Sequence, residues 1–266
     1  MRRLIASMRI FLSGAWLAYI ALFRWTQPAS YLASKVVMPL NQILFFTFLG
    51  MSATGRDTAE FYVVGNALQV AALNGIYGVT MTVGRERNEG TLIYLLGSPA
   101  NRLVIFMGRA LFNILDGMLA VVIGFVWGVL LLGLDLSLAN LPGLALTILV
   151  TTASTCGLGL LMGSVSLVAL NVMFVNNTVY FLLLLFSGAN LPLDKLPAWM
   201  QAVSAGLPLT RGIQSARLLV NGASLVEVWP LLAGELAVGL VYALAGFALF
   251  SWFEAQARRR GTLEAF

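Results

Sequence analysis

Residues 136–193 read LSLANLPGLALTILVTTASTCGLGLLMGSVSLVALNVMFVNNTVYFLLLLFSGANLPL, 58 positions without one Asp, Glu, Lys or Arg. A spanning helix needs about 20 mostly apolar residues, so this run is long enough for at least two. The small, polar cluster Gly163-Ser164-Val165-Ser166 is the natural break, giving spans at 141–162 and 169–189. The pattern repeats in both directions. Residues 36–53 and 61–84 are uncharged, 110–134 carry only Asp116, and 228–253 carry only Glu235. The expected fold is an all-α membrane protein with six transmembrane helices.

Composition points the same way. Of 266 residues, 59% are apolar and 10% are charged, where a soluble domain carries about 25% charged residues. Mean hydropathy is +0.89. Water offers no place for so much apolar side chain with so little charge to cover it. Cys156 is the one cysteine and histidine is absent, which excludes an internal disulfide, a cysteine metal cluster and His-based catalysis or metal binding. No GxxxxGK[ST] run occurs, so the chain lacks a P-loop, and energy for any work must come from a partner or a gradient.

Residues 1–35 form a segment of their own. Positions 10–23 are an apolar run between Arg9 and Arg24. At 1.5 Å per residue, 14 residues reach about 21 Å, short of the roughly 30 Å hydrocarbon core. A signal peptide, a short span and an interfacial helix compete. Arg24, Trp25 and Gln27 directly after the run favour the interfacial helix.

Loop charges set the orientation. With the N-terminus inside, the inner side holds Arg2, Arg3, Arg9, Arg24, Lys35, Arg85, Arg87, Arg102, Arg109, Arg258, Arg259 and Arg260, which is twelve. The outer side holds Arg56, Lys195, Arg211 and Arg217, which is four. Both termini are therefore expected in the cytoplasm.

Two segments lie outside the spans. Residues 84–109 read GRERNEGTLIYLLGSPANRLVIFMGR. Leu92, Ile93, Leu95 and Leu96 recur at helical spacing, and Gly97-Ser98-Pro99 ends the helix. The result is a short amphipathic cytoplasmic helix with a charged entrance. It either docks a partner or is a basic loop that only obeys the positive-inside rule. On the outer face, residues 190–226 are punctuated by Pro192, Pro197 and Pro208. They predict a hairpin of two helices, 198–205 and 210–221, with Thr210 as N-cap and Gly222 as C-cap. It acts as an exit lid or as packing over the span ends.

Polar groups inside spans are costly and mark candidate sites. Asn66, Gln69 and Asn74 fall within an arc of about 140° on span two. Span five carries Asn171, Asn176, Asn177 and Thr178, span three Asn113 and Asp116, and span six Glu235. Asn66, Gln69, Asn74, Asn171, Asn176 and Asn177 are the candidate translocation path, although interhelical hydrogen bonding is the commoner use of a single membrane amide. Glu235, near its helix end, is expected to reach outward to the interface. The stretch around Cys156, from Thr151 to Gly159, is read as close helix packing.

The run Glu86-Arg87-Asn88-Glu89-Gly90-Thr91-Leu92, followed by Leu95-Leu96, Ser98-Pro99 and Arg102, resembles the ABC-2 family of ABC transporter permeases. That family's first cytoplasmic loop carries E-R-x-x-G-T-L-E-x-L-L-x-[ST]-P-x-x-R. Glu86, Arg87, Gly90, Thr91, Leu92, Leu95, Leu96, Ser98, Pro99 and Arg102 match, and Ile93 stands where the family has glutamate. Gly188-Ala189-Asn190-Leu191-Pro192, Leu196-Pro197 and Pro208-Leu209-Thr210 resemble the loop before the family's last span. The resemblance implies an N-terminal connecting helix within 1–35 and one transmembrane domain over 36–266. It implies that the ten matching residues engage a separate ABC ATPase subunit, with ATP and magnesium on that partner and no cofactor or metal on this chain. It further implies a homodimer or heterodimer with a second permease, the amides of spans two and five facing it, in lipid of the cell membrane and without nucleic acid. The implied activity is export of a hydrophobic or amphiphilic substrate such as a drug, antibiotic, lipid or peptide. Three other readings stand beside it: a polysaccharide or lipid-linked glycan channel of the same family, an intramembrane lipid-acting enzyme, and a gradient-driven transporter. The enzyme would need converging carboxylates or a histidine, and the gradient-driven transporter inverted repeats.

Overall fold

A computed structural model describes residues 27–82, 102–167 and 171–260, together with Ser13. Among the described residues there are eight α-helices, short 3-10 and π turns, and no strand. In chain order the helices are α1 (Pro28–Thr54), α2 (Ala59–Leu73), α3 (Arg102–Leu132), α4 (Leu141–Val165), α5 (Val172–Phe186), α6 (Ala198–Gly206), α7 (Thr210–Val220) and α8 (Leu225–Arg260). The π turn Asn74–Gly78 continues α2, and helix runs on through residue 82. Residues 10–23, apart from Ser13, and the segment 83–101 lie outside the described residues.

Helix starts follow local chemistry. Pro28 opens α1 in the first turn, where its missing N–H costs nothing. The side chains of Asn140 and Asn171 cap α4 and α5, accepting the backbone N–H of Gly143 and of Phe174, each at 3.0 Å. Pro197 precedes α6.

Four helical stretches are long and apolar enough to cross a membrane: Ala29–Thr54, Ala110–Leu132, Leu141–Val165 and Leu225–Phe253. The helix Val172–Phe186 is apolar but shorter, and residues 59–82 are one helical run continuous through the π turn. Several expected boundaries move. The division at 35/36 falls inside α1, because Lys35 is paired within the membrane domain and does not mark its edge. The break expected at Gly163–Ser166 is where α4 ends, with Val165 as its last residue and Ser166 at the C-cap position. Ser164 Oγ donates to Gly246 O at 2.7 Å and to Leu160 O at 3.1 Å, so the small polar cluster that ends α4 is also a contact with α8. Helix α8 extends past residue 253 to Arg260.

Helix α4 is the hub, and its small residues explain why. A Cβ on Gly157 would lie 2.3 Å from Gly239 O, and one on Gly159 would lie 2.0 Å from Gly75 O. Only glycine lets α8 and the π turn approach α4 so closely. Ser154 Oγ donates to Glu235 O and Thr155 Oγ1 to Ala71 O. The stretch around Cys156 is thus a packing surface, as expected. Ile43, Val64, Leu68, Ile76, Val121, Leu183 and Ile213 complete a shared apolar core.

Three connections meet at one end of the bundle. Asn140 N donates to Leu219 O (2.9 Å), and Asn221 Nδ2 to Glu60 Oε1 (2.7 Å). The turns after α1, α3 and α7 therefore share a face, the alternation expected of antiparallel spans.

Helix α7 starts differently from expectation. The N-cap position is Leu209, with φ +81°, and Thr210 Oγ1 is buried without a partner among the described residues. Capping comes instead from Glu235, whose carboxylate accepts Leu209 N–H and Gly212 N–H. Glu235 is fully buried and does not reach the interface. Gly222, at φ +88°, follows the helix end as expected.

Candidate functional site

The coupling residues Glu86, Arg87, Gly90, Thr91, Leu92, Leu95, Leu96, Ser98 and Pro99 lie outside the described residues. Arg102 is the first residue of α3, and its side chain is likewise outside them. What is described is the membrane-embedded polar chemistry, and it separates into two clusters.

The first is a seam of uncharged groups where α5 and the turn after it meet α1 and α2. Asn66 Nδ2 donates to Asn190 Oδ1 at 2.8 Å and to Tyr62 O at 2.9 Å. Ser187 Oγ donates to Gln69 Oε1 at 3.2 Å. Tyr180 hydroxyl donates to Gln42 Oε1 at 3.1 Å, and Tyr77 hydroxyl to Asn177 Oδ1. The Tyr77 and Tyr180 rings meet edge to face at 6.2 Å. Asn66, Gln69 and Asn176 are fully buried. Asn66 Oδ1, Gln69 Nε2, Gln42 Nε2, Asn190 Nδ2 and both amide atoms of Asn176 have no partner among the described residues. A buried amide left half-bonded costs free energy, so this seam is poorly satisfied for a place whose only task is packing.

The second cluster is ionic. Lys35 Nζ, from α1, donates to Asp116 Oδ2 on α3 and to Asn74 Oδ1 at the π turn, and Tyr31 hydroxyl donates to Asp116 Oδ1. The Lys35 and Asp116 side chains are 11% and 9% exposed. This is the one ion pair among the described residues.

The six expected path residues therefore part company. Asn66, Gln69, Asn176 and Asn177 share the seam. Asn74 turns toward the ion pair, where its Oδ1 accepts from Lys35 Nζ. Asn171 is spent as the cap of α5. The expectation that the amides of spans two and five face a second subunit fails for Asn66, Gln69 and Asn176, which are buried within this chain. It remains open for Asn177 and Thr178, which are exposed between Phe174 and Phe181 on α5.

Sequence reading missed Tyr31, Gln42, Tyr77, Tyr180 and Ser187. A tyrosine within an apolar run was the available signal, since its hydroxyl must find a partner when buried. Arg217 was read only as an outer charge. Its Nη2 donates to Phe61 O at 2.9 Å and to Ala189 O at 3.1 Å, and its guanidinium sits 3.4 Å from the Phe61 ring centroid. Burial lowers its pKa, with Glu60 and Tyr62 opposing. It ties α7 to the start of α2 and the end of α5.

Comparison with known proteins assigns this architecture. A probable multidrug ABC transporter permease of Escherichia coli K12, YbhR, is 26% identical over 200 residues, covering 72% of this chain and 52% of the relative. Its counterpart in strain O157:H7 matches equally. The chain thus spans about half the length of the curated relatives it matches. A sequence profile of the ABC-2 type transporter family matches residues 15–220, from ahead of α1 to the end of α7. The chain is a multi-pass membrane protein belonging to the ABC-2 type transporter family.

Proposed function

We propose that the chain is the transmembrane permease subunit of an ATP-driven exporter, moving a hydrophobic or amphiphilic substrate outward on energy from a separate ABC ATPase. The observation that carries this is the Glu86–Arg102 motif within a family match over residues 15–220. The similarity to a probable multidrug permease supports a drug among the candidate substrates, which also include an antibiotic, lipid or peptide. In this reading α2 with its π-turn extension and α5 complete six spans. Both termini and residues 83–101 are cytoplasmic in the cell membrane, and ATP and magnesium belong to the partner.

The uncharged seam of Asn66, Gln69, Asn176 and Asn177 is the translocation path of this proposal. A second permease, identical or homologous, covers the exposed face of α1 and α5. Phe45, Phe48, Phe174 and Phe181 give that face its apolar area, while exposed Asn177 and Thr178 would be costly against lipid alone.

The test is ATPase co-purification with the Arg87→Glu variant at matched expression. A reversed charge at a partly desolvated interface should weaken association by about 2–5 kcal/mol. Eleven inner basic residues remain, so insertion should survive. Unchanged binding with unchanged export would remove the coupling role from this segment.

A further inference from the structure

Lys35, seven residues into α1, reaches two other helices at once. Asn74 stands eight residues before residue 82, where the described part of span two ends, and Asp116 stands fourteen residues after Arg102. At 1.5 Å per residue these positions lie about 12 Å and about 21 Å along their helices from segment 83–101. One lysine therefore joins α1 to both arms of that segment.

The surroundings make the junction stiff. A Cβ on Gly117 would meet Thr152 Cγ2 at 2.6 Å and Asn74 Cβ at 3.3 Å, and one on Gly75 would meet Thr155 Oγ1 at 2.6 Å. A Cβ on Gly78 would stand 2.3 Å from Asn113 Oδ1. Asn74 also opens the π turn, a helical irregularity that can change register and re-aim the helix beyond it. Its side chain is the one Lys35 holds. A buried ion pair contributes little net stability over a well-packed apolar pair, so stability alone does not account for this one.

We infer that Tyr31, Lys35, Asn74 and Asp116 are a positioning device that carries movement of residues 83–101 into α1. This rests on the permease reading above. The cluster fixes the aim of span two beyond its π turn and clamps it to α3, so α1 follows the cytoplasmic segment as one body. Lys35 and Asp116 touch no substrate in this role. They act through the helices they join.

The experiment places spin labels at positions 53 on α1 and 244 on α8 in a Cys156→Ala background, with the permease co-expressed with its ATPase. Both positions are exposed, and α8 serves as reference because it packs along α4. Distances are measured without nucleotide and after trapping with ATP and orthovanadate. The Lys35→Met/Asp116→Leu double variant removes both charges together, so neither is left buried and unpaired. The expected result is a nucleotide-dependent distance shift in the parent protein that the double variant loses while still co-purifying with the ATPase and hydrolysing ATP. An undiminished shift in the double variant overturns the inference, as does absence of any shift in the parent. A double variant that fails to reach the membrane also overturns it, by reducing the cluster to a structural staple. Failure of the parent chain to bind an ATPase at all sinks the permease reading itself.

Discussion

The carboxylate of Glu235, in α8, caps the helix that begins 25 residues earlier: Leu209 N–H is 2.6 Å from Oε1 and Gly212 N–H is 3.2 Å from Oε2. The first turn of any helix leaves N–H groups without partners, and here a buried side chain from a neighbouring span supplies the acceptors. Glu235→Ala should destabilise the protein by about 2–4 kcal/mol, because two buried donors lose their partners. Glu235→Gln keeps one acceptor and should lose roughly half as much. Thermal unfolding in detergent orders the three proteins. Equal losses for the two variants would show that the charge, rather than the acceptor geometry, sustains α7.

The Lys35–Asp116 pair allows a sharper stability test. Lys35→Met alone leaves a buried carboxylate unpaired and should cost about 3–5 kcal/mol, and Asp116→Leu alone should cost a similar amount. The double variant should recover most of that loss, since well-packed apolar replacements of a buried pair are often neutral. Unfolding midpoints of the two single variants and the double variant give the coupling directly. Additive losses would mean that the two charges do not stabilise one another.

The span-bearing stretches were legible because apolar length is a property of sequence alone, and α3, α4 and α8 lie where uncharged runs placed them. Ends were less legible. Lys35 looked like a membrane boundary because a sequence does not show Asp116, 81 positions away, waiting to pair with it. Gly163-Ser164-Val165-Ser166 was legible as the end of α4, but the contact of Ser164 with Gly246 was not, because it is a tertiary fact. The same holds for the candidate site. The amides of span two were visible as a polar face, but their division between Asn190, Ser187 and Lys35 is set by partners distant in sequence. Glu235 was visible as a lone charge, and its task was not, since its partners are backbone N–H groups.

The glycines of α4 separate packing from flexibility. In Gly159→Ala the new methyl would sit 2.0 Å from Gly75 O, and in Gly157→Ala 2.3 Å from Gly239 O. Both obstacles are backbone, so helices must move apart. Each variant should lose about 1–3 kcal/mol by overpacking. Gly206, at the end of α6, has nothing within 4 Å of its added Cβ. Gly206→Ala should be neutral or stabilising by up to about 1 kcal/mol, because it restricts the unfolded chain. Melting curves of the three variants decide this, and a stable Gly159→Ala would contradict the close crossing of α4 with the π turn.

Sidedness can be tested against the contacts between connections. The α3–α4 turn touches the end of α7 through Asn140 N–H and Leu219 O, and α7 touches the start of α2 through Asn221 and Glu60. These segments must therefore share one side of the membrane, whichever side that is. The twelve-to-four distribution of basic residues predicts the outer side. Cys156 is buried in α4, so Cys156→Ala gives a background silent to impermeant thiol reagents. Single cysteines at positions 138 and 203, both exposed, should label from outside intact cells, whereas a cysteine at position 88 should label only after permeabilisation. Labelling at 138 without 203 would contradict the shared face of the connections. Labelling at 88 in intact cells would reverse the predicted orientation and with it overturn the proposed docking of residues 83–101 on a cytoplasmic ATPase.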